Sequence, residues 1–195
     1  MRAGSVGASL MNDFKSDDVW QKSVRDAVLA PGFYKQYSEE GRYVFIDKGS
    51  LAMDLQRKFA VDTIYQSDDG VAVCVEEKIV RWPGYHYNSY TLETDSCTNP
   101  GYESQGWMHY GKADYLLYCF VTNVGAEKCK CNEWCGKCKI RAHLIKFDEL
   151  QKWFWPIVED FSVFQMKTKN KTKGRIVPIE KVKNAIPVYR YIVNG

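Results

Sequence analysis

Val71-Ala72-Val73-Cys74-Val75-Glu76-Glu77-Lys78-Ile79-Val80, read together with Asp62, decides the architecture. In an extended strand the side chains alternate, so Val71, Val73 and Val75 are expected to enter a core while Ala72, Cys74, Glu76 and Lys78 share the other face. Glu77 then points away from Glu76. The preceding run Phe59-Ala60-Val61-Asp62-Thr63-Ile64-Tyr65-Gln66 reads as a second strand, and Asp68-Asp69-Gly70 is a turn signal between the two. A hairpin of these strands brings the acidic ends together. Two carboxylates and an ammonium converging there can hold a hard divalent cation and orient a water beside it.

An acid followed by Glu-x-Lys on the next strand resembles the PD-(D/E)XK nuclease superfamily. Asp62 stands for the first acid, with Val61 in the position of the motif's proline, and Glu76 and Lys78 form the second element. From residue 20 to residue 147 the order is helix, three strands, a helix or loop, and a strand, as that fold's core requires. The stretch Tyr102-Glu103-Ser104-Gln105-Gly106-Trp107-Met108-His109-Tyr110-Gly111-Lys112-Ala113-Asp114-Tyr115-Leu116-Leu117-Tyr118 is similar to phage-type members of the group. The resemblance implies a restriction-endonuclease-like fold and a nuclease using Mg²⁺ or Mn²⁺. Asp62, Glu76 and Lys78 would be catalytic, Asp62 and Glu76 the metal ligands and Glu93 an additional carboxylate. Gln105 and Tyr110 would take the place of the substrate-contacting Gln and Tyr of RecB-like members.

Working outward, Val19-Trp20-Gln21-Lys22-Ser23-Val24-Arg25-Asp26-Ala27-Val28-Leu29-Ala30 places Trp20, Val24, Ala27 and Val28 at helical spacing, and Pro31-Gly32 is expected to stop the helix. Strands are expected near residues 42–47, 90–96 and 139–146, with a short helical segment over 51–58. The near-continuously apolar Ala113-Asp114-Tyr115-Leu116-Leu117-Tyr118-Cys119-Phe120-Val121 suits a sheet centre. Asp148 is the expected N-cap of a helix through Trp153, with Pro156 kinking or ending it. The tail offers strands over 161–168, 175–177 and 188–193 and a helix over 178–185. The class is α/β, bordering on α+β, with a central mixed sheet flanked by helices in a single domain over 1–195. Residues 1–12 are expected to be a flexible or added end, with Met11 an alternative start.

Among 195 residues, 45% hydrophobic and 14% aromatic content is enough for one ordinary core. No apolar run approaches a bilayer-spanning length and the first residues lack a signal-peptide core, so a soluble protein of the cytoplasm is expected, that of a bacterial host if the chain is phage-encoded. Net charge is only +3. Five of the 27 Lys and Arg lie in a basic loop at 167–175, leaving 22 against 24 Asp and Glu. Lys167, Lys169, Lys171, Lys173 and Arg175 are therefore either phosphate contacts for a nucleic-acid partner or the solvated tip of a hairpin, with Gly174 permitting a tight turn.

Four of the seven cysteines fall in Cys129-Lys130-Cys131-Asn132-Glu133-Trp134-Cys135-Gly136-Lys137-Cys138, within an insertion at 127–139. Four thiolates match the ligand count of a zinc knuckle, though the spacing is tighter than the common Cys-x-x-Cys pairs, and an iron–sulfur cluster is the competing metal. Disulfides belong to oxidising compartments, where this chain is not expected. A zinc deaminase would need a His-x-Glu element that His86, His109 and His143 do not supply. The expected function is a metal-dependent nuclease acting on nucleic acid, DNA first. The alternative is a non-catalytic module on the same fold that binds nucleic acid or a protein partner, such as a phage regulator or inhibitor of a host enzyme.

Overall fold

Residues 116–121 alternate between two cores. Leu116, Tyr118 and Phe120 enter one apolar cluster, Leu117, Cys119 and Val121 the other, and all six are buried. A strand covered on both faces is apolar throughout, which is why this run reads as a sheet centre. The computed structural model describes residues 19–34, 43–45, 55, 58–66, 69–81, 88–99, 102–123, 131, 133–165 and 172–194.

Among the described residues the large sheet has six strands: β1 (Tyr43–Phe45), β2 (Thr63–Gln66), β3 (Ala72–Arg81), β6 (Tyr115–Asn123), β7 (Cys138–Lys146) and β10 (Val188–Asn194), adjacent in that order. Among the described strands of this sheet only β3 and β6 run parallel, so the sheet is mixed, and Thr63 opposite Val75 sets the β2–β3 hairpin. The second sheet is antiparallel and orders β5 (Tyr102–Gln105), β4 (Ser89–Asn99), β9 (Lys173–Pro178) and β8 (Ser162–Gln165). Sequence order alone places the Glu93 strand beside its neighbours in one central sheet. It lies in the second sheet instead, because β4 finds a long partner in β9.

One face of the large sheet is covered by the helical segment 19–34, through Trp20, Val24, Val28, Leu29, Phe33 and Tyr34. Its second part, α1 (Arg25–Tyr34), is π-helical and carries Pro31 inside it. The expected stop at Pro31-Gly32 is therefore corrected: the wider coil accommodates the proline ring that would clash in an α-helix. The other face is covered by the second sheet with the one-turn α2 (Trp107–Tyr110), α3 (Phe147–Phe154) and α4 (Ile179–Ala185). Each fully buried Leu, Val or Phe side chain here contributes about 1.5–3 kcal/mol.

Other expectations shift locally. Val71 precedes β3 and is 55% exposed, so of the three valines only Val75 is fully buried and Val73 is half-buried. Phe59 is helical and Ala60 has φ 49, so Asp62 sits in a bend just before β2 rather than within a strand. Lys146, not Asp148, is the N-cap of α3; Asp148 lies in its first turn and accepts a 3.0 Å bond from Lys152. Pro156 opens a 3-10 turn (Trp155–Asp160) that kinks at Ile157. Residues 1–12 and most of 51–58 lie outside the described residues. No described helix is long and apolar enough to cross a membrane.

Candidate active site

The left-handed backbone at Ala60 is uncommon for a residue with a Cβ, and it turns the chain so that Asp62 meets β3. Asp62 N–H donates to Val75 O at 2.9 Å, and Glu77 N–H donates to Asp62 Oδ2 at 2.9 Å. The Asp62 carboxylate is thus fixed beside the Glu76-Glu77 peptide. Glu76 faces it: protonated Glu76 donates to Asp62, and burial first, then the Asp62 charge, push the Glu76 carboxyl well above the usual range. Glu76 retains some exposed surface as a residue, but its carboxyl group is enclosed by protein. Lys78, two positions along the same face, counteracts part of this effect.

The cluster extends to the second sheet. Glu93 on β4 is raised by burial, while Lys78 and a hydrogen bond from Ser96 draw it down. Tyr110, at the end of α2, has its hydroxyl pushed up to about 12 by burial and then by Glu76, Glu93 and Asp62. Asp62, Glu76, Lys78, Glu93 and Tyr110 therefore share one electrostatic environment. No match was found among protein-family models, curated proteins or solved structures.

Of the other expected site residues, Gln105, Lys173 and Arg175 lie in the second sheet. Gln105 is exposed at the end of β5 and pairs across β4 with Asp95, whose other neighbour is Lys173. Lys173 and Arg175 belong to β9, so the basic loop ends before them. Arg175 donates to Glu159 at 2.7 Å and to Phe161 O at 3.0 Å, tying β9 to the 3-10 turn instead of facing solvent as a loop cation. Lys167, Lys169 and Lys171 lie outside the described residues. A cavity of about 560 Å³ opens at the starts of β3 and β6, lined by Lys112, Asp114, Lys146 and Gln151 among others; it touches none of the acidic cluster.

Two carboxylates fit Mg²⁺, which is commonly held by one or two of them plus water and substrate phosphate. Among the described residues no group of three or more His, Cys, Asp and Glu forms a fuller cage. In the cysteine segment, Cys135 Sγ and Cys138 Sγ are 3.6 Å apart, close to the edge of about 3.8 Å between thiolates on a tetrahedral zinc. Cys131 is half-buried against the helix-side core, and Cys129 lies outside the described residues. The segment is not purely polar: Trp134 packs against the same core and its backbone N–H donates to Ser23 Oγ at 2.7 Å. His143 is a core residue bonded to the Tyr90 hydroxyl, lowered to about 3 by burial and then by Arg141, Lys183 and Arg190.

The residue the sequence reading leaves without a role is Glu77. Its side chain is buried among Arg25, Tyr34 and Thr63. The signal was present, since strand alternation puts an acid on the core face beside Val75, and a buried acid demands partners. Their identity, 43 and 52 positions away for Tyr34 and Arg25, was not readable from spacing.

Proposed function

We propose that this chain is a metal-dependent nuclease of the PD-(D/E)XK kind, on a restriction-endonuclease-like fold, that hydrolyses phosphodiester bonds, in DNA before RNA. The observation that carries the reading is the meeting of the Asp62 and Glu76 carboxyls with Lys78 on the same strand face. Asp62 and Glu76 would hold Mg²⁺ or Mn²⁺, with Glu93 as a further carboxylate. Bound there, the ion supplies the positive charge that a scissile phosphate needs. Lys78 does what the protein itself contributes: it favours ionised Glu76, orients the attacking water and stabilises developing negative charge. The Tyr110 hydroxyl, held protonated, donates to a phosphate oxygen. Lys167, Lys169, Lys171 and Lys173 supply phosphate contacts, and the cysteines hold a structural zinc that leaves no position open for substrate.

A second reading, a binding module without cleavage, is favoured by the enclosure of the Glu76 carboxyl, which suits a proton shared with Asp62. Incubation with single- and double-stranded DNA and RNA in Mg²⁺ or Mn²⁺ separates the two. Cleavage by the wild type, abolished in Glu76→Gln with folding intact, is expected. A wild type that binds nucleic acid but cleaves none of these substrates would overturn the nuclease reading.

A further inference from the structure

Glu77 stands between Glu76 and Lys78, and its side chain is fully buried on the opposite face of β3. Arg25 Nε donates to its Oε2 at 2.6 Å; the Thr63 hydroxyl donates to Oε1 at 2.6 Å, and the Tyr34 hydroxyl donates to the same oxygen. A buried carboxylate is tolerated only when its charge and lone pairs are met, and here they are met from two elements. Thr63 opens β2 directly after Asp62.

Arg25 and Tyr34 begin and end α1, and the winding of that helix is what lets both reach one residue. At about 100° per residue an α-helix would turn positions 25 and 34 onto opposite faces. At the roughly 80° per residue of an i→i+5 coil the nine steps make about two full turns and return them to the same face. The π-helix is thus the device that closes the clamp. Its grip is passed to the acidic pair through the backbone: Glu77 N–H holds Asp62 Oδ2, and the peptide of that same N–H carries Glu76.

We propose that Glu77, clamped by Arg25, Tyr34 and Thr63, is a positioning residue that fixes the spacing of the Asp62 and Glu76 carboxylates for a divalent cation. The inference rests on the reading of those two carboxylates as metal ligands. Groups that orient metal ligands from behind cost about 10–100-fold in affinity when removed.

Mn²⁺ binding to the full chain, followed by the electron paramagnetic resonance signal of the free ion, tests the clamp without relying on cleavage. The wild type is expected to bind and Glu76→Gln to lose binding. Tyr34→Phe and Thr63→Val should each weaken binding about tenfold, and the double variant R25M/E77Q by up to about 100-fold. Ile140→Ala, a cavity in the same core but on β7 rather than on α1 or β3, controls for lost stability and should bind within twofold of the wild type. If the wild type does not bind, or Glu76→Gln binds equally well, the metal-ligand reading fails and the clamp's role with it. If those two behave as expected but Tyr34→Phe and Thr63→Val bind like Ile140→Ala, the acidic site stands and the positioning role is overturned. Those two single-hydroxyl variants decide the matter even if R25M/E77Q does not fold.

Discussion

On the proposed reading Glu76 is two things at once, an enclosed carboxyl next to another acid and a charge available for a cation. Burial and Asp62 raise its pKa, so the folded state holds the proton more tightly than the unfolded chain does. Its contribution to stability is then fully present below the unfolded value of about 4.3 and is lost as pH rises through the folded value. Glu76→Gln keeps the shape and removes the charge. In metal-free buffer its thermal midpoint should exceed that of the wild type at pH 8, by about 2–4 °C for each kcal/mol relieved, and the gap should close towards pH 4. Adding Mg²⁺ should raise the wild-type midpoint and leave the variant unchanged. Equal midpoints at both pH values would show that neither burial nor Asp62 opposes ionisation of Glu76. That Asp62, Glu76 and Lys78 come together was legible in the sequence, because a turn signal and two-residue alternation bear on near neighbours in a hairpin. The Glu77 partners were not, since Arg25 lies on a helix whose winding departs from the period used to read it.

At the scale of elements, the strand carrying Glu93 depends on a close approach. A Cβ on Gly174 would stand 2.3 Å from Leu92 O and 2.5 Å from the Phe164 ring, so β9 needs glycine here for proximity to β4 and β8, not for a tight turn. Glu93 is the residue opposite it. Gly174→Ala is expected to destabilise the fold by about 1–3 kcal/mol and to displace Glu93 relative to Lys78. Denaturant melts measure the first effect; loss of less than about 0.5 kcal/mol would mean the strands yield easily. The sequence predicted strands for both halves of this pair, but not their departure into a second sheet. Pairing between β4 and β9 joins distant segments, and nothing local in either one names its partner. The central strand β6 was easier, because an unbroken apolar run can only suit a place covered on both sides.

At the scale of the whole molecule, the large sheet lies between a helix and a second sheet, and the cysteine segment joins its strands β6 and β7 at the helix-covered side. Trp134 already anchors that segment, so zinc should tighten it rather than create it. Elemental analysis is expected to find about one zinc per chain, and a chelator to lower the thermal midpoint while the core remains folded. Reduced thiols without metal would refute the site. The doublet Glu76-Glu77 has a consequence for how this sheet can be assembled at all. Two identical side chains in succession are interchangeable to a strand that pairs one residue out of step, and such a slip turns every side chain to the opposite face. Slipped, β3 would offer Glu77 to the Asp62 side and bury Glu76 without Arg25 in reach. The clamp therefore tells two chemically identical acids apart, and it makes the wrong alignment of β3 against its neighbours the one the molecule cannot accept.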